Sequence, residues 1–137
     1  MNDCLFCKII AGELPAYKVY EDDRTLAFLD IHPVNSGHTL VISKNHSRDM
    51  QEASVDDVCA VMATVHHIAP RILAAVGSEG YNLGLNNGRD AGQVVPHLHF
   101  HIMPRFAGDG HHLWHGKSIE DKELAVTAEK LRMAIAV

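Results

Sequence analysis

The sequence predicts an α+β fold, an antiparallel β-sheet carrying one long helix, with a shorter helix at each end of the chain. Three observations carry this. Two strand-like runs, 18–21 and 25–30, flank the acidic turn Glu21-Asp22-Asp23-Arg24, and a hairpin makes an antiparallel pair. A helical apolar period then runs from 58 to 76. Finally, histidine alternates with apolar residues over 97–103, which is the two-residue period of a strand.

The elements follow in order. Residues 4–11 read as a short helix with Leu5, Ile9 and Ile10 turned inward, ended by Gly12 and Pro15. The hairpin comes next, and then a loop with Pro33, Asn35, Ser36 and Gly37. His38-Thr39-Leu40-Val41-Ile42-Ser43 is a third strand, rich in β-branched residues. Ser54-Val55-Asp56-Asp57 resembles a capping box with Asp in place of Glu. It opens a helix with apolar residues at 58, 61, 62, 65, 68, 69, 72, 73 and 76, kinked by Pro70 and stopped by Gly77. His66 and His67 on this helix are expected to be structural or exposed, and Cys59 to be core. A fourth strand covers 81–86 and a fifth 97–103, stopped by Pro104. After a loop reaching Ser118, a last helix carries Leu124, Ala128, Leu131 and Ile135 on one face. No repeat or linker interrupts the chain, so residues 1–137 are expected to form a single domain.

Composition narrows the function classes. With 12 Lys plus Arg against 17 Asp plus Glu, the net charge is −5. That argues against a general nucleic-acid binder, which would show a basic patch or stripe, though not against a pocket for one phosphate ester. No unbroken apolar run approaches the ~20 residues of a bilayer span. Met1-Asn2-Asp3-Cys4 lacks the basic-then-apolar pattern of a signal peptide. Three cysteines, an odd number, argue against a disulfide framework, so a cytoplasmic protein is expected. Cys4 and Cys7 form a C-x-x-C pair. Half of a metal site, a redox pair, or two small apolar residues on a short helix all fit that spacing.

Histidine is the compositional oddity, with 11 residues. Alternation puts His97, His99 and His101 on one face of the fifth strand, with Leu98, Phe100 and Ile102 on the other, toward the core. Such a face suits either a metal site or an imidazole nucleophile acting on phosphorus. No Asp or Glu lies in the strand or in the six residues before it to complete a catalytic metal site. Upstream, the Gly/Asn-rich loop 87–93 offers backbone N–H groups for an anion, and Asn86 and Gln93 offer amide donors. Phosphate chemistry at a histidine is therefore favoured over a three-histidine metal centre.

These residues resemble the histidine-triad (HIT) family. The resemblance rests on the His97-Leu98-His99-Phe100-His101-Ile102-Met103 strand. It extends to Cys4-Leu5-Phe6-Cys7-Lys8-Ile9-Ile10, Phe28-Leu29-Asp30-Ile31-His32-Pro33, Gly37-His38-Thr39-Leu40-Val41-Ile42, Asn86-Asn87-Gly88, Ala91-Gly92-Gln93 and Pro104-Arg105. The resemblance implies a HIT-like fold with a five-stranded antiparallel sheet. It also implies a nucleotide hydrolase or transferase acting at the α-phosphate of purine nucleotide conjugates: phosphoramidates, adenylates or dinucleoside polyphosphates. His99 would be the nucleophile, His101 would contact the phosphate and the bridging atom, and His38 would support them. Phe28, Asp30 and Ile31 would hold the nucleoside, with plain core and a turn cap as the bland alternatives. Asn86, Gly92 and Gln93 would lie on the phosphate side.

Bacterial members with two N-terminal cysteines further imply a structural Zn²⁺ on Cys4, Cys7, His46 and His97. No organic cofactor is implied, and a homodimer is. Where the phosphoramidase branch has serine after the glutamine, this chain has Val94, which cannot protonate an amine leaving group. The run 104–109 resembles the diadenosine-polyphosphate hydrolase branch. His111, His112 and His115 fall outside the motif and need no function beyond solubility or local packing; a functional role for them would lie at the mouth of the pocket. The rival function is a nucleotide-binding regulatory or scaffold protein with weak hydrolysis.

Overall fold

The computed structural model describes residues 3–136; Met1 and Asn2, part of the leader argument above, lie outside them. The elements are α1 (Leu5–Ile10), β1 (Lys18–Glu21), β2 (Thr25–Leu29), β3 (Thr39–Ser43), α2 (Val55–Val76), β4 (Gly80–Leu85), β5 (His99–Arg105) and α3 (Asp121–Ile135). A single 3₁₀ turn, Arg89–Ala91, sits between β4 and β5. The five strands form one antiparallel sheet in the order β1-β2-β3-β5-β4.

Register decides which side chains share a face. Ala27 pairs with Val41 and Val41 with Phe100, and all three enter one core with Val61, Val65, Ile68 and Ala69 of α2. One position along, Leu26 pairs with Ile42 and Ile42 with His99. Leu26, Phe28, Leu40 and Ile42 pack on this second face against Cys4, Phe6 and Ile9 of the N-terminal segment. The sheet is thus covered by α2 on one side and by α1 on the other, and the histidines lie on the α1 side.

Helix α2 begins as its sequence requires. Ser54 Oγ accepts from Asp57 N at 3.1 Å. The reciprocal half of the capping box is absent, because the Asp57 carboxylate accepts from Arg24 and Asn45 instead. The helix runs through Pro70 and ends at Gly77 in the left-handed conformation, φ 74°. With 22 residues and a best-window mean hydropathy of 1.4, α2 is long and apolar enough to cross a bilayer. Its buried stripe packs on the sheet instead.

Four local expectations are corrected. Phe6 and Ile9 are the buried residues of α1, whereas Leu5 is 48% exposed. The Cys4/Cys7 pair fixes the rotation of this helix and leaves Leu5 on its open side. Cys59 is exposed, because it lies two residues before Val61, roughly 200° round the helix from the buried stripe. β5 starts at His99, two residues later than expected, and runs through Pro104 to Arg105. Proline is tolerated there because β3 pairs only with residues 99–102. The Pro104 carbonyl turns outward to accept from Asn35 Nδ2 at 2.9 Å, so its missing N–H also faces away from β4 and no rung is lost. The fourth correction, to the 87–93 loop, belongs to the site.

Candidate active site

The α1 side of the sheet holds a cleft of about 590 Å³. That is within the range of small-molecule sites. Phe28, Asp30, Ile31, Asn86, Gly92, His99 and His101 all line it, together with Leu5, Phe6, Ile9 and Leu40. The α1 side of this wall has no counterpart among the site residues singled out from the sequence. The signal was there in the helical spacing of Leu5, Phe6 and Ile9, but nothing local said which surface they meet.

His99 is buried and its ring stands edge-on to Phe6, with centroids 5.1 Å apart. Its Nδ1 lies 2.7 Å from the His97 carbonyl. A carbonyl only accepts, so Nδ1 carries the proton and Nε2 keeps its lone pair. Burial holds the His99 pKa below the ordinary histidine value, so the ring is neutral and nucleophilic at pH 7.

A second chain of bonds fixes His101. The Val34 backbone N–H donates to His38 Nδ1 at 2.9 Å. His38 therefore carries its proton on Nε2, which lies 2.9 Å from His101 Nδ1. Neutral His101 then accepts at Nδ1 and bears its proton on Nε2, a buried atom with no protein partner. Burial, reinforced by the neighbouring His99 and His38, pushes the His101 pKa down to about 4, and burial lowers that of His38 too. Asp30 sits beside this pair, its Oδ2 3.6 Å from His38 Nε2 and 4.0 Å from His101 Nδ1. Its Oδ1 accepts from the His32 N–H. One side of the cleft thus offers a lone pair at His99 and the other an N–H at His101.

The phosphate-side expectations divide. Asn86 and Gly92 line the cleft; Gln93 does not. The Gln93 amide is committed to the backbone, accepting from Gly88 N at 2.8 Å and donating to the carbonyls of Arg48 and Val95. The loop N–H groups expected to cradle an anion are partly committed as well. Those of Ala91, Gly92 and Gln93 donate to the carbonyls of Gly88, Arg89 and Gly88, closing the 3₁₀ turn. Val94 lines the cleft and is 88% exposed. His111, His112 and His115 do not line it.

Cys4, Cys7, His46 and His97 converge beneath the cleft. The Cys4 Sγ–His97 Nδ1, Cys7 Sγ–His46 Nδ1 and Cys7 Sγ–His97 Nδ1 separations are 3.4, 3.3 and 3.6 Å, and the two Nδ1 atoms lie 3.2 Å apart. Ligands held about 2.0–2.3 Å from a tetrahedral ion stand roughly 3.3–3.7 Å apart, so this set could hold a metal ion. His97 Nε2 donates to the Ser43 carbonyl at 2.8 Å, which leaves Nδ1 free to ligate. Without a cation, burial and the adjacent Cys4 push the Cys7 thiol up to about 11. A bound cation reverses that preference.

A family model for the HIT domain matches residues 11–108. The chain belongs to the HIT family. Among HIT relatives, it is 42% identical to the adenylylsulfatase HINT3 of Arabidopsis thaliana over 136 residues, 99% of this chain and 68% of that protein. It is 46% identical to the adenosine 5'-monophosphoramidase hnt1 of Schizosaccharomyces pombe over 102 residues, 74% of each chain. The crystal structure of a Zn-bound histidine triad family protein from Mycobacterium smegmatis superposes with a TM-score of 0.77 at 34% identity, covering 97% of this chain and 98% of that one.

Proposed function

We propose that this HIT protein is a nucleotide hydrolase or transferase that cleaves the α-phosphate linkage of purine nucleoside 5'-phosphate conjugates through a covalent nucleotidyl-His99 intermediate. The observation that carries the proposal is the 2.7 Å bond from His99 Nδ1–H to the His97 carbonyl, which leaves Nε2 as a neutral nucleophile in the cleft. The Nε2 lone pair forms the P–N bond as the bond to the leaving group breaks, and the leaving group departs with that electron pair. His101 Nε2–H donates a hydrogen bond to the phosphoryl oxygen or bridging atom as charge develops there. Water then attacks phosphorus, the P–N bond returns its electrons to the imidazole, a proton passes to solvent, and the nucleoside monophosphate leaves. Phe28 and Ile31 flank the base, Asp30 accepts from the ribose hydroxyls, and Asn86 and Gly92 face the phosphate.

Val94 supplies no proton to a departing amine. The site accordingly favours leaving groups that depart as stable anions, a sulfate or a polyphosphate, over amines. An adenylylsulfatase among the relatives supports this preference. The cysteine–histidine cluster is read as a structural Zn²⁺ site, since two thiolates and two imidazoles make a closed tetrahedral shell. The chemistry calls for no organic cofactor. Residues 1–137 are read as one domain that works as a cytoplasmic homodimer, with no nucleic-acid or membrane partner.

His99→Ala should reduce turnover by at least about a thousandfold while nucleoside monophosphate still binds. Single-turnover trapping on the unaltered protein should yield a nucleotidyl adduct on His99. Turnover near the original level in the variant would refute the assignment. The substrate preference is read from a screen of adenylyl sulfate, dinucleoside polyphosphates and adenosine and guanosine phosphoramidates.

A further inference from the structure

We propose that the segment following β5 is a positioning clamp for the catalytic proton order, with His111 as its working end and the Arg105–Asp109 ion pair as its anchor. The inference rests on the role proposed above for His101, whose Nδ1 faces the His38 Nε2–H.

The Asp109 carboxylate collects five donors. Arg105 Nε and an Arg105 terminal nitrogen approach at 2.8 and 2.9 Å. The backbone N–H groups of Phe106 and His111 and the Asn35 side-chain amide each approach at 3.0 Å. These bonds, led by Arg105, hold the Asp109 pKa far below the usual carboxylate range, so the hub stays charged. Arg105 also donates to Asn82 of β4 at 2.7 Å and to the His111 carbonyl at 2.9 Å. The main chain at His111 is therefore held from both its N–H and its C=O.

From that fixed point the His111 imidazole reaches back over 77 positions of sequence to the 33–37 loop, where Nε2 donates to the Val34 carbonyl at 2.9 Å. Asn35, one residue on, donates to both Pro104 O and Asp109. Val34 is the residue whose N–H sets the His38 tautomer. Gly37, at φ +90°, closes the same loop, and a Cβ there would meet Pro104, Ile72 and Val76 at 3.1–3.2 Å. β5 thus acts on His38 twice. It acts directly through His101, and through Arg105, four residues on, it holds the loop that decides which His38 nitrogen carries the proton.

A loop of this kind gains nothing catalytic from mere burial. His111 is exposed, so its imidazole adds little to the core, and its one side-chain bond goes to the backbone that orients His38. Without that bond the Val34 carbonyl loses its side-chain tie while the two Asn35 bonds remain. The loop then holds Val34 less tightly, His38 can also place its proton on Nδ1, and His101 loses part of the donation that keeps its own proton on Nε2.

The test compares His111→Phe, which removes the donor, with His111→Gln, which keeps one at similar reach. Two quantities are measured on the full chain: steady-state kinetics, and the ¹⁵N imidazole signals of His38 recorded without substrate. The unaltered protein should show a single His38 tautomer protonated at Nε2. In His111→Phe that signal should become a mixture, and kcat should fall about tenfold, the effect of one lost hydrogen bond, with nucleoside monophosphate affinity unchanged. His111→Gln should restore both. If Phe and Gln behave alike, whether both active or both impaired, the clamp is wrong. A Nδ1-protonated His38 in the unaltered protein overturns it as well. Because the imidazole signal needs no turnover, it stands apart from a failure of the reaction assignment, which His99→Ala reports.

Discussion

Four histidines do different work here because each has a different second partner. His99 bonds a carbonyl, His38 accepts from an N–H, His101 accepts from His38, and His97 bonds a carbonyl with one nitrogen and faces two sulfurs with the other. The alternation of histidines was legible in the sequence; these assignments were not, since each depends on an atom distant along the chain or on the backbone. A pH prediction follows at this scale. His101 titrates near 6.5 in the unfolded chain but at about 4 in the folded protein. The unfolded chain therefore binds more protons between those values, so stability is full above pH 6.5 and is lost as pH falls. By pH 4 this one group should cost on the order of 3 kcal/mol, and the lowered His38 adds in the same direction. Denaturant titrations from pH 8 to pH 4 check it. The dependence should shrink in His101→Gln; an unchanged profile in that variant would place the acid sensitivity elsewhere.

At the scale of elements, α1 is the least self-sufficient piece. Six residues are far too few for a helix to persist alone, and what holds it is the cysteine–histidine cluster together with Phe6 and Ile9 on the sheet. The same helix walls the cleft with Leu5, Phe6 and Ile9. If the cluster carries the proposed Zn²⁺, stripping it, or making Cys7→Ser, should therefore weaken nucleotide binding as well as stability. Without α1 the cleft loses its Leu5, Phe6 and Ile9 wall, so affinity for nucleoside monophosphate should drop about tenfold, the size of about 1.4 kcal/mol of lost apolar contact. Isothermal titration before and after chelation, with metal content measured in parallel, gives the answer. Unchanged affinity in fully metal-free protein would show that α1 holds without the cluster. The elements themselves were largely readable, because the apolar period of α2 and the β-branched run of β3 are local signals. Leu5, Cys59, Pro104 and Gln93 were misplaced for one shared reason. The environment of each is set by a partner that only the fold supplies: the cluster that rotates α1, the sheet under α2, Asn35 beside Pro104, and the Gly88, Arg48 and Val95 backbone around Gln93.

Across the whole molecule, several apolar side chains are left uncovered by its own packing. The inner strands of the sheet are covered on both faces, but α3 has no buried residue. Leu124, Leu131 and Ile135 are 51, 52 and 76% exposed, and Leu113, Trp114 and Ile119 before the helix are exposed too. At the sheet edge β4 adds exposed Tyr81 and Leu83. An apolar stripe on a helix that touches little of its own domain costs free energy unless something covers it. The proposed homodimer supplies a cover, since a two-fold axis lets one patch meet its own copy. Leu131→Asp separates this from a structural role. Leu131 is half exposed in the single chain, so a charge there disturbs the fold little, whereas in a buried interface an unpaired carboxylate is costly. Sedimentation velocity should show the unaltered chain as a dimer and Leu131→Asp shifted to monomer, with circular dichroism unchanged. A monomer for the unaltered chain across micromolar concentrations would sink the dimer. A variant that stays dimeric would move the interface off the Leu131 face of α3.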